Sequence, residues 1–200
     1  MTIFVFEGID NTGKTSICEK LAKDYSYPHF SFPTENFKKT WFSSGKIKDV
    51  NDVVRESLLI SNRAEYYSQI KDASRSNHVI IDRFVHSGIA YAKAVSDWDK
   101  NPDLAQAAVD SVLWELAHPP FKFHVIYFRV DKNTLVTRVR DEQDIYDTDD
   151  ELQFTVASTF DIMAKDNPDS WSIIDIYDEE GNWRLYDNIY NEVVSIIEKN

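Results

Sequence analysis

Five short runs dense in β-branched and aromatic residues recur along the chain, at residues 2–6, 27–33, 78–82, 124–130 and 171–176. Each is bounded by polar or turn residues and is too short for a helix, so each predicts a buried strand. Between them the apolar positions change to helical spacing. Ile17, Leu21 and Ala22 give one face over residues 15–24, and Val53, Leu58, Leu59, Tyr66 and Ile70 a less regular face over 53–75. Ile89, Ala90, Tyr91 and Ala94 mark a helix over 87–97, and further helices are expected at 102–117, 133–140, 152–165 and 183–199. Pro102 suits the first turn of its helix, and His118-Pro119-Pro120 ends it. Residues 34–51 are polar and read as loop with a short helix. Strands alternating with helices predict an α/β fold: a five-stranded parallel sheet between two helical layers, expected as one domain over residues 1–200.

The turn after the first strand carries the chemistry. Gly8-Ile9-Asp10-Asn11-Thr12-Gly13-Lys14-Thr15 fits the phosphate-cradling pattern of glycine, four residues, glycine, lysine, then serine or threonine. A helix N-terminus offers unpaired amides and the positive end of its dipole, here at Gly13 to Ser16. The glycines let the main chain wrap phosphate oxygens without a Cβ intervening. Lys14 is placed to reach the β- and γ-phosphates, and the Thr15 hydroxyl to hold a magnesium ion. Asp82-Arg83 closes the strand at 78–82; an acid there would face the loop and share the metal, and Arg83 offers a planar fork of donors to a phosphate.

Elsewhere the signals are plainer. Helical periodicity alone makes Arg63 a surface charge. Arg138 and Arg140 precede an acidic segment at 141–151 and suit a lid over phosphates, although basic residues in a last helical turn also complement its dipole. Tyr146 is the aromatic among those carboxylates. The five histidines lack metal-ligand spacing, and the lone Cys18 reads as buried and rules out an internal disulfide framework. A net charge of −12 opposes general affinity for nucleic acid or anionic membrane. With no signal peptide and no apolar run of membrane length, the protein is expected in the cytoplasm.

Taken in order, these residues resemble the thymidylate kinases. Phe6-Glu7-Gly8 through Thr15 is similar to that family's FEG-x-D-x-x-GK-[ST] loop, and Leu58-Leu59-Ile60-Ser61-Asn62-Arg63 to its helix ending in Asn-Arg. Asp82-Arg83-Phe84 with Ser87-Gly88-Ile89-Ala90-Tyr91 is similar to its DRY…SG-x-AY segment. Asp144-Ile145-Tyr146-Asp147 with Phe154 resembles the lid of eukaryotic and viral members, and Trp171-Ser172-Ile173-Ile174 a strand near the family's end. The resemblance implies a P-loop kinase fold with a short lid near 139–151, ATP as donor, Mg2+, and transfer to dTMP by a homodimer. It also implies that Asp10 binds the acceptor 3′-hydroxyl and Arg83 its phosphate. Arg63 then reaches phosphate and base, Tyr91 crowds the 2′ position, Tyr146 packs near the nucleotide, and Phe32, Leu59 and Ser87 line the same site.

Two positions depart from the family. Leu59 stands where an aromatic is usual, so aliphatic contact replaces stacking on the base. Thr34-Glu35 follows Phe32-Pro33 where an arginine is usual, leaving Lys38 or Lys39 as substitutes. Asn11 holds a loop position that is basic in some members, which assigns that charge to Arg138 or Arg140. A deoxynucleoside kinase, with Glu7 deprotonating a sugar 5′-hydroxyl, shares the loop and a similar acid–arginine pair. A nucleotide-binding regulator with little turnover is a third reading, prompted by the two departures.

Overall fold

The computed structural model describes residues 1–95, 102–130 and 149–200. Its sheet has five strands, β1 (Ile3–Glu7), β2 (His29–Ser31), β3 (Val79–Asp82), β4 (His124–Arg129) and β5 (Trp171–Asp175), in the order β2-β3-β1-β4-β5. Every pairing is parallel, as the alternation of strand and helix patterns predicts. β1 and β3 are buried at every position, which is why they read as continuous apolar runs rather than alternating ones. The register sets Phe6 opposite Asp82, so the ends of β1 and β3 lie side by side beneath one edge of the sheet.

Helix α1 (Lys14–Tyr25) and the last helix cover one face. Tyr190 of that last helix donates to Asp24 Oδ2 at 2.8 Å, and Tyr186 to the Ser16 carbonyl at 3.1 Å. The other face carries α4 (Val85–Val95), α5 (Pro102–Ala117) and α6 (Asp150–Asp166), with Tyr127 of β4 donating to Asp161 Oδ1 at 3.1 Å. Phe4, Phe6, Ile80, Ile81 and Phe128 are fully buried between the layers, and each contributes about 1.5–3 kcal/mol by leaving water.

Two expected boundaries shift. The helix expected over 53–75 is two helices, α2 (Asp52–Ala64) and α3 (Tyr67–Ala73). The break sends adjacent tyrosines different ways: Tyr66 packs on Phe30 and Phe32, and Tyr67 on Phe84 and Phe121. The last helix, α7 (Tyr186–Lys199), starts after Trp183 rather than at it. A hairpin turn precedes it, in which the Asp178 carboxylate accepts from Glu180 and Asn182 amides and Tyr177 bridges Trp183; such local side-chain bonds compete with helix. Residues 34–51 form short turns of helix at Glu35–Phe37, Lys38–Phe42 and Lys46–Asp49. The expected helix at 133–140, the end of that at 87–97, and residues 141–148 of the acidic segment lie outside the described residues.

Candidate active site

The phosphate loop leaves β1 at Gly8, whose φ is +140°, and enters α1 at Gly13, φ +81°. A Cβ on Gly8 would stand 2.6 Å from the Phe128 carbonyl oxygen, so only glycine fits that turn. Asn11, also at positive φ, is exposed at the loop tip, and Thr15 and Ser16 are exposed on the first turn of α1. The amides of that turn have no helical carbonyl to bond and carry the positive end of the helix dipole. Lys14 is buried and donates from Nζ back into the loop, to the Ile9 carbonyl and, at 2.9 Å, to Thr12 Oγ1. Burial, with the repulsion of Arg83 added, brings its pKa down to about 8 despite the neighbouring carboxylates.

Beside the loop, Thr15 Oγ1 donates to Asp82 Oδ2 at 2.7 Å. Asp82 Oδ1 is buried and has no hydrogen-bond partner among the described residues, an acceptor still to be satisfied. Arg83 follows with φ +63°, a left-handed turn that costs an L-residue about 1–2 kcal/mol. That turn aims the guanidinium at the loop: Nη2 donates to Asp10 Oδ1, Nη1 to Ser87 Oγ at 3.2 Å, and the group lies 5.7 Å over the Tyr91 ring. Tyr91 in turn donates to Asp10 Oδ2 at 2.7 Å. Burial would raise the Asp10 pKa, but the charges of Arg83 and Lys14 and the Tyr91 hydroxyl prevail and hold it at about 2.

Glu7 lies under this pair, fully buried. Its Oε1 accepts from the amides of Phe84 at 2.9 Å and Ser87 at 3.2 Å, and its Oε2 from the Ser87 hydroxyl. Burial pushes its pKa up, yet the neighbouring His86, Ser87 and Arg83 outweigh that and leave it below the ordinary value. The carboxylate thus caps the first turn of α4.

Above Asp10 and Arg83 opens a cavity of about 470 Å³. It brings together Asp10, Phe32, Leu59, Arg63, Arg83, Ser87 and Tyr91, seven of the residues singled out in the sequence. Arg63 is not the surface charge that periodicity alone suggested: it is 4% exposed, with Nε and Nη2 bonded to Glu115 on α5. Tyr67 donates to the same carboxylate, whose charge, with burial, pushes its hydroxyl pKa up. Lys38 also lines the cavity, whereas Lys39 is exposed and pairs with Glu35.

Sequence reasoning missed Arg55 and Glu56, which line this cavity, and Glu115, which holds Arg63. The buried residues of α2 are Asp52, Glu56, Asn62 and Arg63, not its apolar ones. Their spacing is helical, so a polar stripe with helical period was the available signal. Arg138, Arg140 and Tyr146 lie outside the described residues. Two of the histidines bind neighbours in the fold, His78 accepting from the Thr2 amide and His124 lying 2.8 Å from Ser172 Oγ. Cys18 is buried and free, and among the described residues no helix is long and apolar enough to cross a membrane.

A phosphate loop facing a second cavity, largely apolar but lined by several charged side chains, across an acid–arginine pair at the carboxyl edge of a parallel sheet defines a P-loop nucleotide kinase. Within that class the chain belongs to the thymidylate kinase family, whose model matches residues 6–182. It is 30% identical over 113 residues to a probable thymidylate kinase of Methanococcus maripaludis, a match spanning 50% of this chain and 56% of that protein. It is 24% identical over 186 residues to a thymidylate kinase of Danio rerio, covering 86% of this chain and 81% of the relative. The solved thymidylate kinase of Candida albicans superposes with a TM-score of 0.76 at 21% identity, over 100% of this chain and 92% of that one.

Proposed function

We propose that this protein transfers the γ-phosphoryl group of ATP to dTMP, giving dTDP and ADP. The observation that carries the reading is the Asp10–Arg83 contact, where the phosphate loop meets the second cavity. A phosphate held by Arg83 there would neighbour one cradled by the loop, the arrangement that in-line transfer needs. An oxygen of the acceptor monophosphate attacks the γ-phosphorus as the bond to the ADP oxygen breaks, and no side chain becomes covalently attached. The loop amides and Lys14 hold the donor phosphates. Arg83 aligns the acceptor, Asp10 takes its 3′-hydroxyl, Tyr91 and Ser87 bound the sugar, and Phe32, Leu59 and Arg63 bound the base. Lys38 takes the place of the family's missing arginine, and Arg138 or Arg140 stabilises charge on the moving group from the lid.

The unsatisfied Asp82 Oδ1 and the adjacent Thr15 hydroxyl fit a hard cation. Those two residues would hold Mg2+, which when bound neutralises charge on the donor phosphates. A homodimer belongs to the same reading and is tested by sedimentation equilibrium.

Two observations weigh against a nucleoside as acceptor. Glu7, the base such an enzyme would use, is engaged by three donors, and its lowered pKa makes it a poor proton acceptor. The test is a coupled ADP-release assay with ATP, magnesium, and dTMP or thymidine. Turnover on dTMP is expected. Turnover on thymidine alone points to a deoxynucleoside kinase, and ATP binding without any turnover points to a regulator; either overturns the reading.

A further inference from the structure

The base end of the acceptor cavity contains a carboxyl group that the roles above leave unused. Glu56 lines the cavity and is only 2% exposed. Its Oε1 lies 3.4 Å from Arg55 Nε, a long contact, and its Oε2 has no hydrogen-bond partner among the described residues. Arg55 is itself claimed by Asp52, and Arg63 by Glu115, so neither cation is Glu56's alone. A buried acceptor left unmatched costs about 1–3 kcal/mol. A feature that costly invites a ligand that satisfies it.

The partner it fits follows from its neighbour. Glu56 and Arg63 are seven residues apart on α2, on one face of the helix, and the Arg63 charge acts on the Glu56 carboxyl. Glu115 takes Nε and Nη2 of Arg63, which leaves Nη1 outside that pair. A donor and an acceptor that converge on one cavity complement a base edge presenting a carbonyl beside an N–H. Keto pyrimidines present that edge, as O4 beside N3–H. Cytosine reverses it, with an amino group beside a bare N3.

We propose that Glu56 is a specificity-determining residue of the acceptor site, accepting the N3–H of a keto pyrimidine while Arg63 donates to the adjacent carbonyl. Oε2 is shielded in the ligand-free arrangement. Rotation of the carboxyl group about its terminal torsion, which has broad and shallow wells, turns it toward the base. This supplies recognition where Leu59 offers no aromatic face, and it rests on the reading of the cavity as a nucleoside monophosphate site.

The test pairs a change in the base with a change in the residue. Wild type, Glu56→Gln and Glu56→Leu are assayed on dTMP and on 3-methyl-dTMP, which lacks the N3 proton, after thermal melts establish that each variant is folded. Glu56→Leu is expected to lower kcat/KM on dTMP by about ten-fold, mainly through KM, and to leave 3-methyl-dTMP unchanged. Glu56→Gln, whose carbonyl still accepts, recovers part of the loss. Equal loss on both acceptors, or no loss on either, overturns the assignment and leaves Glu56 as a partner of Arg55. The same monophosphates are titrated by calorimetry without ATP. A Glu56-dependent preference in binding without turnover would sink the transfer reading and keep this one; dTMP turnover with no such preference would do the reverse.

Discussion

In the proposed reaction Lys14 would meet the donor phosphates as a cation weakened by burial and by Arg83, with its pKa brought down to about 8. Anionic phosphate binds the protonated amine better and raises that pKa on binding. ATP affinity should therefore hold below about pH 8 and fall as pH rises through that value, read as a dissociation constant that climbs between pH 7.5 and 9.5. A flat profile would mean that the loop amides alone hold the triphosphate. The titration of Glu56 acts on stability instead, and in the same direction with pH. Burial raises its pKa from 4.5 to about 7, against the pull of Arg55 and Arg63 and with the push of Asp52. Glu115, which accepts from the Tyr67 hydroxyl, backs Arg63, and Lys38 lines the same cavity. Between those values the folded state keeps a proton that the unfolded state has lost, so stability falls as pH rises, by up to about 3 kcal/mol. Glu56→Gln removes that penalty, and its melting temperature should exceed that of wild type at pH 8 but not at pH 4.5. Arg83 is half-buried against Asp10 and Ser87 on the cavity side of the loop. Arg83→Ala should accordingly raise KM for dTMP more than KM for ATP, by about ten-fold or more for the loss of a charge-assisted phosphate contact; equal effects would contradict its place.

At the scale of elements, what the sequence made legible followed from periodicity. β1 and β3 are apolar throughout because both faces are covered, and the loop between β1 and α1 carries its own signature. α2 was misread for the converse reason. Its apolar positions Val53, Leu58 and Leu59 are only half-buried, while Asp52, Glu56, Asn62 and Arg63 face inward. A helix whose concealed side is charged inverts the pattern on which burial is inferred. It is tolerable only because Glu115 and Tyr67 arrive from α5 and α3, contacts that no local pattern announces. That dependence is testable. Glu115→Ala strands a buried guanidinium, so it should destabilise the fold by about 3–5 kcal/mol in urea unfolding, whereas Arg75→Ala, at an exposed ion pair, should change it little. A loss below about 1 kcal/mol for Glu115→Ala would show that Arg63 is held some other way. The split between α2 and α3, and the hairpin before α7, escaped for the same reason: ring packing by Tyr66 and Tyr67 and the Asp178 turn override local helical spacing.

For the molecule as a whole, an acidic chain of net charge −12 gathers several of its cations along one sheet edge, as the two polyanionic substrates of the proposed reaction would require. Lys14 sits on the loop, Arg83 at the end of β3, and Arg63, Arg55 and Lys38 line the cavity beyond. The parallel order β3-β1-β4 puts the loop and the Asp82–Arg83 pair at adjacent strand ends. A crossover fold therefore makes the phosphate loop and the Arg83 cavity neighbours although about seventy residues separate them in sequence. If the loop and the cavity form one reaction site, the γ-phosphorus of labelled ATP should pass from one to the other. Wild-type protein should move the label into dTDP, and Lys14→Ala should move none while remaining folded and binding dTMP as before. Label transferred by Lys14→Ala at the wild-type rate, or appearing only on thymidine, would contradict the account.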